Sequence, residues 1–379
     1  MEDVYMQSIE LHKKHRGKIE VISKVPITSR AELSLVYTPG VAEVSREIGR
    51  DIELAYEYTI KGNTVAIVSD GSAILGLGNL GAHAAIPVME GKAAIFKEFA
   101  DIDAFPICVN TQDVEEIIAL VKNVAPVFGG INLEDISAPR CFEIEERLLA
   151  ELPIPVMHDD QHGTATVVLA GLINSLKLRG SNKEDVRVVM SGAGAAGTAI
   201  TKILLAYGFK HFIICDTQGA IFEGRDGMNE EKQALARVTN SDKKMGTLTE
   251  VIHGADIFIG VSKQGLLTAD MVHAMAERPI IFALANPVPE IMPDVAKEAG
   301  AFIVATGRSD FPNQINNSLA FPGIFRGALD NRIKQFNEGM FVRAAEALAE
   351  YVTDPHPDQL LPTQFDKGIV SAVKEVIRD

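Results

Sequence analysis

Short apolar runs, each closed by polar residues, alternate with longer amphipathic stretches along most of the chain. Positions 1–24 carry a helical apolar stripe. LSLVYTPGVAEVSREIG (33–49) starts strand-like, turns at Pro39-Gly40 and continues as a helix. The β-branched runs at 63–71, 103–110, 127–135 and 154–160 predict strands, with helices between them at 86–100, 113–126 and 141–152. In the second half a helix is expected at 164–180, then strand, glycine turn and helix over 186–208. Further strands are expected at 211–216, 255–262, 279–287 and 301–307, and closing helices at 324–351 and 364–378.

Strands alternating with helices predict βαβ units and mainly parallel sheets, an α/β protein. The polar clusters fall where ligands bind such sheets, at the carboxyl ends of the strands: Ser69-Asp70, Glu134-Asp135 and Asp159-Asp160. The expected division is an N-terminal α/β substrate and metal domain, residues 1–160, followed by a Rossmann-type dinucleotide-binding domain, residues 161–379. The last helices pack either on the second domain or back on the first.

The second domain rests on SGAGAAG. Gly192, Gly194 and Gly197, with Ala195 and Ala196 between them, follow the apolar run VRVVM and precede TAITKILLAYG. Glycines there let a backbone approach a pyrophosphate, whose charge suits the helix N-terminus. The next run, HFIICD, ends at Asp216, 19 residues past Gly197, the spacing of an acidic group that bonds the adenosine ribose. A carboxylate there repels a 2′-phosphate, and no Arg or Lys follows until Arg225. NAD is therefore expected rather than NADP.

Composition adds exclusions. The 379 residues carry a net charge of −15, which argues against a nucleic-acid or anionic-membrane partner. Three cysteines without a CxxC pair give neither a disulfide framework nor a zinc site. The charged N-terminus lacks an apolar signal core, and no run reaches the length of a membrane span, so a cytoplasmic location is expected.

An anionic substrate on so acidic a chain needs a local cation or metal. Glu134, Asp135 and Asp160 form a candidate metal set of hard oxygen donors, which selects Mg²⁺ or Mn²⁺ over zinc. In PIPVMHDDQHGTAT (153–166), an aspartate before a helix is ordinarily an N-cap, but capping explains one carboxylate and not two. His158 and His162 read as structural groups around the ligands. Lys92, in MEGKAAIF, is either a surface lysine lying along apolar neighbours or, if buried near a metal, a base. Tyr37 is either a core tyrosine or a general acid.

SLVYTPGVAEVSREI, VSDGSAILGLGNLG, PVMEGKAAIFKEFADIDAFPI, INLEDISAPRCFEIEERL, PVMHDDQHGTATV, SGAGAAG, ALANPVPEI and NNSLAFPGIFRG, in this order, resemble the malic enzymes of the short bacterial type over nearly the whole chain. The resemblance implies oxidative decarboxylation of L-malate to pyruvate and CO₂ with NAD or NADP and a divalent metal. It implies Tyr37 as general acid, Lys92 as general base and Asp159 tuning that lysine. Glu134, Asp135 and Asp160 would hold the metal. Asn286, Asn316 and Asn317 would bind substrate, with Asn286 also near the cofactor. A homodimer is implied as well. The chain departs from larger relatives where they carry a substrate-binding arginine: here DGSAILGLG has Ser72 and Ala73. The competing readings are a redox-neutral malate-to-lactate decarboxylase, an amino-acid dehydrogenase that needs no metal, and a dinucleotide-sensing binding protein that needs neither Lys92 nor Tyr37.

Overall fold

The computed structural model describes residues 2–379, with side chains from residue 4 on. Two sheets organise it. The first has β1 (Thr64–Ser69), β2 (Asp103–Cys108), β3 (Gly130–Leu133) and β4 (Val156–His158), all parallel in the order β2-β1-β3-β4. The second has β5 (Arg187–Ser191), β6 (His211–Asp216), β7 (Gly219–Ala220), β8 (Ile257–Gly260), β9 (Ile280–Ala283) and β10 (Ile303–Thr306), in the order β10-β9-β8-β5-β6-β7. Only β7 runs antiparallel to its neighbour.

Both orders reverse direction once, between β1 and β3 and between β5 and β8. Loops leaving neighbouring strands diverge at such a point and open a crevice at the carboxyl ends. The Glu134-Asp135 turn and the glycine loop lie at these two places.

The helix Asp159–Arg179 joins the two sheets and is buried nearly all round. One apolar core runs from Val65 and Ile67 of the first sheet through Val167, Leu169 and Leu172 of this helix to Val188 and Ile257 of the second. Each fully buried aliphatic side chain there contributes ~1.5–3 kcal/mol. The closing helices divide their packing. The Phe321 ring of the helix Phe321–Asp330 lies 4.7 Å from Phe96, on the helix Ala82–Ala100. The helix Glu338–Tyr351 is held to the linking helix, where the Asn174 amide donates to the carbonyls of Ala349, 2.9 Å, and Leu360, 2.8 Å. No helix among the described residues is long and apolar enough to cross a membrane.

Three local expectations are corrected. The first helix spans Glu2–His15, not 1–24, and Met1 lies outside the described residues. LSLV is helical, not extended: the helix is Arg30–Val36, started by Ser29, whose hydroxyl accepts from the Glu32 N–H at 3.2 Å. The expected helix at 324–351 is two, Phe321–Asp330 and Glu338–Tyr351, the second capped by Asn337.

Candidate active site

The linking helix begins at Asp159, so both aspartates of the His-Asp-Asp-Gln-His run lie in its first turn. Neither caps it. The Asp160 carboxylate instead accepts from the backbone N–H of Asp135 at 2.9 Å, which ties the end of β4 to the turn after β3. Asp135 sits at φ 53°, a left-handed conformation that Asp tolerates better than most residues. That turn aims Glu134 and Asp135 to the same side as Asp160. One oxygen from each of the three lies within 4.8 Å of the others.

Lys92, midway along the helix Ala82–Ala100, is 7% exposed and reaches the cluster. Its ammonium donates to Glu134 at 2.5 Å and to Asp159. It stands 4.4 Å over the Phe321 ring. Burial alone lowers a lysine pKa, but Asp159, Glu134 and Asp160 outweigh it and hold Lys92 above the ordinary value. The surface reading of Lys92 is thus excluded. Asp159 is fully buried, and burial lifts its carboxyl to about 6 against the pull of Lys92. Its other oxygen faces Gly163, where a Cβ would stand 1.8 Å from Oδ1, so only glycine fits.

The cluster has the properties of a cation site. Burial, then the charges of Asp160 and Glu134, push the Asp135 carboxyl up to about 8, and its Oδ2 is buried without a partner. Three crowded carboxylates with an orphaned oxygen fit a hard divalent ion such as Mg²⁺ or Mn²⁺.

The asparagines separate. The Asn317 Cβ stands 3.2 Å from where a Gly163 Cβ would be, which places Asn317 beside Asp159. Asn316 spends its side-chain oxygen on the Ser318 N–H, 2.9 Å, as a cap. Asn286 is exposed after β9. Its carbonyl packs on Gly76, where a Cβ would meet it at 2.5 Å, so the 72–80 loop and the second sheet meet there. Tyr37 is not brought to Lys92. It is 68% exposed, and its hydroxyl has no hydrogen-bond partner among the described residues.

The glycine loop has the form expected of it. Gly192 has φ 119° and lies so close to Val261 that a Cβ would be 2.7 Å from its carbonyl. At Gly197 a Cβ would be 1.9 Å from the Gly192 carbonyl, so helix and strand touch there. Gly194 caps the helix Ala195–Tyr207 and has open space before it. Ala196 packs on the main core and Ala195 on the core of the first sheet, so the loop touches both. A cavity of about 530 Å³ runs from this loop to Asp216, Lys232 and Ser262. Asp216 does not stand alone in it. Arg225 donates to both its oxygens, at 2.9 and 2.5 Å, and Lys232 donates at 2.7 Å. These bonds outweigh burial and hold its carboxyl well below the usual range.

Two buried carboxylates were not singled out from the sequence. Glu145 accepts from the His158 N–H at 2.7 Å, from Gln161 at 3.0 Å and from the His162 ring at 3.1 Å. It therefore fixes the strand–helix junction that carries Asp159 and Asp160. His162 also stacks on Phe341 at 4.7 Å, in keeping with a structural role. Glu290, fully buried, accepts from the N–H groups of Ser262, 2.9 Å, and Ala285, 3.0 Å, and so braces the loops after β8 and β9. In FEIEERL, Glu145 is one of three glutamates on an amphipathic helix, and only its spacing with Cys141, Ile144 and Leu148 marks the inward face.

A buried lysine among carboxylates, set against a glycine loop of dinucleotide type, defines a two-domain dehydrogenase with a metal-type acidic centre. Comparison with known proteins agrees. Residues 16–149 match the model of the malic enzyme N-terminal domain, and residues 161–372 that of the malic enzyme NAD binding domain. The chain is 56% identical over 374 residues to the bifunctional malic/malolactic enzyme of Bacillus subtilis, covering 98% of this chain and 91% of that one. It is 56% identical over 363 residues to the NAD-dependent malic enzyme of Geobacillus stearothermophilus, covering 95% and 76%. The crystal structure of the NAD-dependent malic enzyme of Thermotoga maritima matches with a TM-score of 0.95 at 50% identity, over 97% of this chain and 98% of that one. The chain belongs to the malic enzyme family.

Proposed function

We propose that this chain oxidatively decarboxylates L-malate to pyruvate and CO₂ while reducing NAD to NADH. The observation that carries the reading is Lys92, buried between Glu134 and Asp159 beside the three-carboxylate cluster. The substrate and metal unit is residues 1–160 and the dinucleotide unit 161–379, with the helix Phe321–Asp330 returning to the first. We further assign the working form to a cytoplasmic homodimer.

Glu134, Asp135 and Asp160 would hold a divalent cation, which when bound would supply Lewis-acid polarisation of the substrate oxygens and offset the negative field that keeps Lys92 protonated. Lys92, once neutral, takes the C2 hydroxyl proton as the C2 hydride passes to the nicotinamide. The resulting oxaloacetate breaks its C3–C4 bond and releases CO₂, leaving enolpyruvate. Tyr37 gives a proton to C3 as Lys92 takes the enol hydroxyl proton, which forms pyruvate; Tyr37 is then reprotonated from solvent. Asp159 keeps the lysine aimed, since it accepts from the same ammonium that donates to Glu134. Asn317, beside Asp159, and Asn286, at the rim of the second sheet, bind the substrate; Asn316 shapes the loop.

The relative named malic/malolactic supports a second outcome on the same groups. There pyruvate would stay in the site and be reduced to lactate with the hydride held by NADH and a proton returned by Lys92, with no net redox change.

Replacing Lys92 by Ala tests the assignment. Malate oxidation should fall at least ~10²-fold, while NAD still binds with unchanged affinity in titration calorimetry. Retained malate oxidation overturns the role of Lys92. Activity on an amino acid, insensitive to a chelator, overturns the substrate class.

A further inference from the structure

Beyond the ends of β8 and β9 the two strands part, and one carboxylate takes the place of the next rung between them. The ladder closes where the Leu284 N–H donates to the Gly260 carbonyl at 2.9 Å. Ser262 and Ala285 each lie two residues past the end of a strand. Their N–H groups turn to Glu290, Ser262 donating to Oε1 at 2.9 Å and Ala285 to Oε2 at 3.0 Å. The main chain of the same segment holds the loop after β8: the Glu290 carbonyl accepts from Leu267 at 3.0 Å and the Pro289 carbonyl from Gly265 at 3.1 Å. A Cβ on Gly260 would stand 2.3 Å from the Glu290 Cδ, so the carboxylate needs a glycine at the end of β8.

Glu290 is fully buried, and no lysine, arginine or histidine pairs with it among the described residues. Burial pushes its carboxyl up, opposed only by the N–H groups of Ser262, Ala285 and Glu290 itself. A buried charge without a counter-ion is a cost to the fold, and an apolar side chain serves stability better. The reason for the carboxylate lies in what its two donors belong to. Ser262 lines the dinucleotide cavity, and its hydroxyl lies 2.9 Å from that of Ser191, where the glycine loop begins. Ala285 immediately precedes Asn286. The Asn286 carbonyl packs on Gly76, on the loop whose Ala73 N–H donates to the Asp135 carbonyl at 2.9 Å. Glu290 therefore stands between the wall of the dinucleotide cavity and the asparagine assigned to substrate.

We propose that Glu290 is a positioning residue whose two oxygens fix Asn286 against the dinucleotide loop, and so set the distance between malate C2 and the nicotinamide. A carboxylate is required because each N–H group needs its own acceptor. Glutamine has the same shape but one acceptor oxygen, and its NH₂ would face the other N–H, donor against donor. The loops must then part, although nothing that touches substrate or cofactor has been replaced.

The inference rests on the function proposed above, with Asn286 as a substrate ligand. It is tested with Glu290→Gln beside a control, Asn174→Ala, which loses two buried hydrogen bonds to the carbonyls of Ala349 and Leu360. In Glu290→Gln, kcat/KM for malate should fall ~10²-fold, the usual effect of a displacement near 1 Å. NAD affinity without malate, read by titration calorimetry, should stay within about threefold of wild type, because the glycine loop is untouched. The isotope effect with malate deuterated at C2 should grow, since the misplaced hydride transfer becomes the slow step. Asn174→Ala should lower Tm and leave kcat/KM and the isotope effect unchanged. If Glu290→Gln does not fold, Gly260→Ala displaces the same carboxylate and should reproduce the pattern. A Glu290→Gln enzyme that keeps more than about a third of wild-type kcat/KM overturns the proposal. So does a loss matched by the loss of NAD affinity, or one with an unchanged isotope effect, since either places the damage outside hydride transfer. Wild-type protein inactive on malate would overturn the function itself, and the positioning role with it; active wild type with a normal Glu290→Gln overturns the positioning role alone.

Discussion

Gly163→Ala adds one methyl group to the linking helix and should disable the reaction while leaving the protein folded. The new carbon would stand 1.8 Å from Oδ1 of Asp159, one turn earlier on the same face, and 3.2 Å from the Asn317 Cβ. Ordinary non-bonded contact requires ~3.5 Å, so the carboxylate must retreat by about 1.7 Å. Asp159 is fully buried and its second oxygen holds the Lys92 ammonium, so the retreat carries the base with it. Overpacking of this size costs ~1–3 kcal/mol of stability, which leaves a protein of this size folded. A displacement near 1 Å at the reacting groups costs ~10²-fold in rate. The assay is initial-rate NADH formation with malate and NAD, set beside thermal unfolding. The expected result is kcat lowered ~10²-fold with a modest fall in Tm. A variant that keeps more than about a third of wild-type kcat would refute the claim that Gly163 sets the position of Asp159 and Lys92.

Other outcomes follow from the same geometry. Asp135 keeps its proton up to about 8 in the folded protein, whereas an unfolded aspartate loses it near ~3.9. The folded metal-free protein thus binds more protons across that window, and its stability falls as pH rises through it. Mn²⁺ should therefore raise Tm more at pH 8 than at pH 5, and Asp135→Asn should abolish the difference; equal shifts in wild type would contradict the site. Glu145→Ala strips acceptors from His158, Gln161 and His162. Chemical denaturation should show a loss of ~2–4 kcal/mol, with kcat falling because the Asp159-Asp160 turn loosens; unchanged kcat would make Glu145 purely structural. Asp216→Ala should release Arg225 and Lys232 toward a 2′-phosphate and lower KM for NADP at least ~10-fold, with little gain for NAD; an unchanged KM for NADP would show that neither cation faces that position.

Much of the scaffold is readable in the chain, because buried parallel strands are β-branched runs and their carboxyl ends carry the polar residues. The strands at 64–69, 103–108, 130–133 and 156–158 and the glycine loop fall where the pattern puts them. The three metal-type carboxylates converge as expected, since adjacent parallel strands bring their ends together. LSLV misleads because its apolar residues suit either period; the Ser29-to-Glu32 capping signal was the better guide. Glu145 and Glu290 escape notice because a glutamate on a helix or in a loop reads as solvated unless its burial is known. Tyr37 is legible as a chemical type but not as a location, because an exposed residue before a turn has no apolar periodicity that says what it faces.

The central claim is tested most directly by incubating the purified protein with L-malate, NAD and Mn²⁺ and assaying NADH, pyruvate and lactate together. The account predicts NADH and pyruvate rising in equal amounts, abolished by a chelator and restored by Mn²⁺. Loss of malate with neither pyruvate nor lactate formed, or NADH formation indifferent to the chelator, would contradict it.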